Sequence, residues 1–314
     1  MSLTLAEIRA KLQATEKKSG GNNNNFSGGI TYPHWNIEDG QTARIRFLPD
    51  ANPKNSFFWV EKAMIKLPFA GIKGDSNSKP VIVQVPCIEM FPGYENKCPI
   101  LAEVRPWYKI PDMEIQAGKY WKKRSYIFQG FVRENPLKED KAPENPIRRF
   151  VISSQIFTLV KAALMDVELE NLPTDYQNGL DFSVNKTSKS KYADYSTSKW
   201  SRKESPLTSV EVAAIEQYGL ANLSDALPKM PTQEELDIMV EMFHASVNGE
   251  EYDEAKWGKY FKPSGYNTND SETEFAAKTE SVVVESTPTA VEVVAKSTTT
   301  SRAEDILKQI RNRK

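Results

Sequence analysis

Histidine and cysteine are both nearly absent, at two residues each in 314. Structural zinc sites take four imidazole or thiolate ligands, so this supply leaves little room for one. The two imidazoles, His34 in a Pro-flanked loop and His244 on a helix face, read as structural rather than catalytic. No glycine loop that cradles phosphate, no HExxH or HxxEH pattern and no Ser/His/Asp arrangement stands out. An enzyme is therefore the weakest reading. Long apolar runs are also missing: none approaches the ~20 residues of a membrane span. The first residues follow an amphipathic pattern and not the apolar stretch of a signal peptide. The expectation is an intracellular protein with reduced thiols and no membrane partner.

What is present is positive charge with aromatic rings inside it. Lys119-Tyr120-Trp121-Lys122-Lys123-Arg124-Ser125-Tyr126 opens a stretch, ending at Arg133, that holds five cations and no acid. A second stretch, Lys186 to Lys203, holds six cations, among them Lys189, Lys191 and Lys199, with Tyr192, Tyr195 and Trp200 between them and Asp194 as its one acid. Cations alone would describe a solvated face, and rings alone a core. Together they suit single-stranded nucleic acid, which offers a negative backbone and unstacked base faces. The plain alternative for either stretch is an ordinary amphipathic strand.

The net charge of −1 hides an asymmetry. Residues 1–203 carry 30 basic and 22 acidic side chains, whereas residues 204–314 carry 11 and 20. A basic body joined to an acidic flank points to a polyanion binder whose own acids can compete for its groove. Residues 1–25 look like a tethered arm. Thr4-Leu5-Ala6-Glu7 is a capping-box pattern, Leu5, Ile8 and Leu12 follow at helical spacing, and Arg9 and Lys11 make the segment basic. Gly20-Gly21 and four asparagines then form a linker. The body spans residues 26–263. Ala43, Ile45 and Phe47 alternate as one face of a strand, which puts Arg44 and Arg46 on the other. Phe57–Val60, Val81–Val85, Tyr126–Val132, Arg148–Ile152 and Leu180–Lys186 read as further strands, with a helix from Ser154. Two acidic helices, Ser209–Tyr218 and Thr232–Ser246, form a flank over about residues 207–262; Met239, Met242 and Phe243 of the second read as core. The fold class is thus mainly β with flanking helices. Residues 264–314 have the composition of a disordered tail, closed by a short helix pattern with Ile306, Leu307 and Ile310 on one face.

The order of these features resembles the T-even bacteriophage single-stranded DNA-binding (helix-destabilising) protein family. The similar residues are Gly40-Gln41 through Ile45-Arg46-Phe47-Leu48-Pro49, Cys98-Pro99, Lys122-Lys123-Arg124-Ser125-Tyr126, Ala142-Pro143-Glu144-Asn145, and Lys191-Tyr192 to Lys199-Trp200. The resemblance covers about residues 30–205 and implies an OB-fold core. It also implies cooperative filaments on DNA in the cytoplasm of an infected bacterial host, with roles in replication, recombination and repair. The family's zinc ligands are a histidine, a cysteine and a Cys-Pro-x-Cys turn. This chain keeps Cys87 and Cys98, but the turn reads Cys98-Pro99-Ile100-Leu101 and no histidine lies between Trp59 and Lys66. The expectation is a degenerate site with the zinc lost and no other cofactor, its two cysteines serving as small buried hydrophobes.

The leading expectation is binding of single-stranded DNA without sequence preference. Phosphates would be met by Arg44, Arg46, Lys119, Lys122, Lys123, Arg124, Lys189, Lys191 and Lys199. Bases would stack on some of Tyr120, Trp121, Tyr126, Tyr192, Tyr195 and Trp200, about half of these rings being core because strand side chains alternate. Partners would be DNA, further copies of the chain through Leu5, Ile8, Arg9, Lys11 and Leu12, and phage replication and recombination proteins through the tail. An RNA-binding translational regulator with the same groove is the alternative, since such grooves accept either sugar unless a contact reads the 2′-hydroxyl.

Overall fold

The structure is a computed structural model and describes residues 30–264 apart from residues 140–141, 167–168, 170 and 190–191. The arm, with Leu5, Ile8, Arg9, Lys11 and Leu12, lies outside the described residues, as do Lys191 and the tail beyond Ser264. The fold is mixed α+β with antiparallel strand pairing. The strands are β1 (Thr42–Leu48), β2 (Val60–Phe69), β3 (Val81–Pro86), β4 (Lys123–Glu134), β5 (Arg148–Ser153), β6 (Leu180–Asn185), β7 (Thr187–Lys189), β8 (Tyr192–Asp194) and β9 (Lys199–Glu204). The helices are α1 (Pro99–Val104), α2 (Glu114–Tyr120), α3 (Ser154–Leu164), α4 (Ser209–Tyr218), α5 (Gln233–Val247) and α6 (Glu254–Trp257). The described chain divides into two compact units. The first holds residues 30–62 and 125–228, the second residues 63–124 and 229–264.

In the first unit the strands run in the order β5-β4-β1-β6-β9. Ile45 of β1 stands opposite Val132 of β4 and Phe182 of β6, so β1 is paired along both edges. Ala43, Ile45 and Phe47 do share a buried face, as the alternation requires. Phe47 is its hub, with ring contacts to Phe58, Phe128, Phe150, Phe182 and Trp200. Phe57–Trp59 form no strand, and β2 begins only at Val60. The reason is a polar loop: Asp50 accepts from the backbone of Asn52 and the side chain of Asn55, which in turn donates to the carbonyl of Trp59.

The opposite face of β1 is not open. A second cluster of Leu48, Phe131, Ile147, Leu207 and Ala214 covers it. α4 supplies Ala214 and is held at its start by a full capping box between Thr208 and Glu211. Glu211 also takes two hydrogen bonds from Arg133, whose guanidinium bonds Asp181 at 2.8 Å as well. Arg133 belongs to the first basic stretch by sequence, yet its work is to tie β4 to β6 and α4.

His34 is buried in this unit between the rings of Trp35 and Tyr195, at 5.3 and 5.8 Å. Burial pushes its imidazole down from 6.5 to about 4, and Lys186 adds to the shift. Between those two values the unfolded chain holds a proton that the folded chain refuses, so stability falls as pH falls. The contribution is complete above pH 6.5 and shrinks by about 3 kcal/mol on the way to pH 4. His34→Asn should flatten the urea midpoint of the first unit between pH 6.5 and 5, above the range of ordinary carboxylates. A slope equal to that of the unaltered protein would refute this.

In the second unit β2 and β3 form a hairpin with Ile65 opposite Val85 and Leu67 opposite Val83. These residues share a core with Cys87, Cys98, Leu101, Trp107, Tyr120 and, from α5, Met239, Met242 and Phe243. The apolar face of α5 is thus core, as its spacing implies. Thr232 and Glu235 close its first turn with a second capping box.

Candidate nucleic-acid interface

In the second unit the first basic stretch separates into outward cations and inward rings. α2 buries Ala117 and Tyr120, and Met113 at its N-cap is buried too. Tyr120 meets Trp107 and Phe243 edge-on, and its hydroxyl lies 3.3 Å from that of Ser246. It is a core residue and not a stacking ring. Trp121 is half-buried against Tyr108 and the same core. Lys122 is also not a free cation. Its side chain is 14% exposed and its Nζ sits 2.7 Å from Glu89, which is ion-paired to Arg105 as well. Burial alone would raise the Glu89 carboxyl, but Lys122 and Arg105 overcome that and hold it below the usual range. Lys119, Lys123 and Arg124 remain exposed, with Lys123 donating to the carbonyl of Gly118 at 2.9 Å.

The first unit sorts its candidates the same way. Arg44 is half-exposed but paired to Glu134 at 2.6 Å, with Asp181 at 3.7 Å. Arg46 is fully buried and donates to the carbonyl of Asp175. Burial and the neighbouring Arg133 lower its pKa, and its guanidinium occupies the space that a Cβ on Gly179 would need. It is a structural cation that no phosphate reaches in this fold. Tyr126 is 7% exposed and stacks on Phe157, ring centres 3.4 Å apart. Tyr195 is buried beside His34, and Trp200 packs on Phe47 and Phe182. These three rings belong to the core.

What stays open in that unit is the hairpin β7–β8 and the edge strand β9. Lys189, Tyr192, Lys199, Arg202 and Lys203 are all exposed, and Tyr192 shows 69% of its surface. Asp194, the one acid of the stretch, is engaged within the unit. It accepts from Gln155 and from both the backbone and the hydroxyl of Ser196, and these bonds hold its carboxyl low. Five exposed groups on one short stretch therefore offer four cations and one ring, with their acid already bonded.

The sequence did not single out two further groups. Phe57 is 58% exposed and its ring lies 4.7 Å from that of Trp59. Burial lowers the pKa of both Lys62 and Arg149, Arg149 to about 10, and the nearby Arg149 charge lowers Lys62 further. The asparagine-rich run before Phe57 was the available signal for the first group. Nothing local announces the second, since its members come from β2 and β5.

Cys87 and Cys98 are free, buried and hydrogen-bonded to one another. Cys98 also receives backbone N–H groups of Ile100 and Leu101. The shared bond favours a thiolate on Cys98, held down to about 7, while Cys87 is pushed up. Among the described residues no group of three or more His, Cys, Asp or Glu side chains could hold a metal. His244 pairs instead with Glu103 at 3.1 Å, and His34 sits in the first unit. Two thiols are half of the ligand set of a structural zinc site, and the described residues bring no imidazole to them.

No protein-family model matches the chain, and no curated protein matches it. Among the described residues no helix is long and apolar enough to cross a membrane.

Proposed function

We propose that the chain binds single-stranded DNA without sequence preference. The observation that carries the reading is the stretch from Lys186 to Lys203, along which Lys189, Lys199, Arg202, Lys203 and the ring of Tyr192 are exposed and the one acid, Asp194, is already hydrogen-bonded. The cations meet phosphates and the ring stacks on a base, a combination that tolerates any sequence. Lys119, Lys123 and Arg124 are a second exposed cationic set, on the second unit. An OB-type barrel in the first unit, cooperative self-association through the arm, partner recruitment through the tail, and a role in phage replication, recombination and repair belong to the same proposal. Their support is the resemblance in the order of sequence features. The chemistry is that of a binder and assigns no catalytic residue.

The test is a titration with poly(dT) followed by tryptophan and tyrosine emission at several salt concentrations. Emission should be quenched, and log K should fall against log salt with a slope of about −0.7 per phosphate contact. A flat salt response, or tighter binding to duplex, would overturn the proposal. Matched RNA oligomers decide the alternative: preference for RNA would make the chain a translational regulator.

A further inference from the structure

We propose that Phe57 and Trp59 form a second base-stacking platform on the first unit. This inference rests on the single-strand reading above and adds a site to it. Trp59 is rooted in the core, with ring contacts to Phe58, Phe128 and Phe157. Phe57 lies beside it at 4.7 Å with a 30° tilt and keeps 58% of its surface open. An exposed phenyl ring forgoes the favourable burial that its neighbour Phe58, at 6% exposure, obtains.

The loop does not leave Phe57 outside by slackness. Asp50 accepts from the backbone N–H groups of Asn52 and Leu223, each at 3.0 Å, and from the side chain of Asn55 at 2.7 Å. Asn55 donates to the carbonyl of Trp59 and accepts from the N–H of Phe57 at 3.0 Å. Asn52 accepts from the N–H of Lys54. The ring is therefore held in place before any ligand arrives, which lowers the ordering cost of binding.

The surroundings choose the ligand. A protein interface buries about 800 Å² on each side and needs several apolar neighbours. Here Asn52, Lys54 and Ser56 precede the ring in the same loop, and Lys54 is exposed. One flat aromatic face with an exposed cation earlier in its own loop matches a single nucleotide, with the base on Phe57 and the phosphate toward Lys54.

The experiment compares the unaltered protein with Phe57→Ala and Phe57→Tyr on a short dT oligomer. Phe57→Ala should bind roughly 5- to 100-fold more weakly. Its salt slope should be unchanged, because no phosphate contact is lost. Phe57→Tyr should restore affinity, and the melting temperature should not move for either variant. If the unaltered protein fails to bind dT, the single-strand reading falls and the platform with it. If it binds but Phe57→Ala matches it in affinity and quenching, the platform alone is wrong and Phe57 is left as a protein contact. A salt slope that falls along with affinity would also overturn the platform, since it would assign the loss to displaced cations.

Discussion

Glu89→Gln should destabilise the second unit by roughly 3 kcal/mol or more, the usual result of removing one partner from a buried ion pair. The Glu89 side chain is 5% exposed and serves two cations at once, Lys122 and Arg105. Lys122 is 14% exposed, so losing the carboxylate leaves an ammonium with little water to replace it. Glutamine keeps the volume, so packing loss is not confounded with the loss of charge and of one acceptor oxygen. The pH dependence has a definite sign. Glu89 is held below the usual carboxylate range, so its contribution is present above the unfolded pKa and disappears as pH falls through the folded one. Lys122→Met in the Glu89→Gln background should recover part of the loss, because the stranded charge is removed. Urea denaturation of the three proteins reads all of this. A midpoint for Glu89→Gln equal to that of the unaltered protein would break the ion-pair account and return Lys122 to the cations available for phosphate.

The same pair shows where the sequence stops being legible. Lys122-Lys123-Arg124 reads as three equivalent cations, but only the fold reveals that Glu89, 33 residues earlier, reaches the first of them. The strand β1 was legible because alternation is a local property: Ala43, Ile45 and Phe47 had to share a face. That the other face would also be covered was not, since Leu207 and Ala214, which close over it, come from a distant stretch. Arg46 became a buried structural cation for that reason. The rings divide on the same principle. Lys199 and Trp200 are neighbours that point opposite ways, outward and inward, and composition cannot tell which side a core will occupy. Tyr192 remained exposed because its short hairpin β7–β8 pairs only with itself. Phe57–Trp59 were hidden by their strand-like composition, which the hydrogen bonds of Asp50 and Asn55 override.

Replacing Lys189, Lys199, Arg202 and Lys203 together by glutamine should weaken binding to single-stranded DNA roughly 100- to 1,000-fold near 0.1 M salt. The estimate follows from counterion release. Each phosphate contact on a single strand contributes about 0.7 to the slope of log K against log salt, so four lost contacts make the slope shallower by nearly 3. The loss should be equal for all sequences, because phosphates carry no base identity. Folding should survive, since all four side chains are exposed. An unchanged urea midpoint is the control. Tyr192→Ala separates the two halves of the interface: it should cost roughly 1–3 kcal/mol of binding while leaving the salt slope alone. Lys119, Lys123 and Arg124, replaced as a second set, measure what the second unit contributes. If the four-residue variant keeps its affinity and slope while the three-residue variant loses both, the phosphate contacts belong to the second unit and the β7–β9 stretch is only a solvated edge. If neither variant changes the slope, electrostatic capture by these cations is wrong.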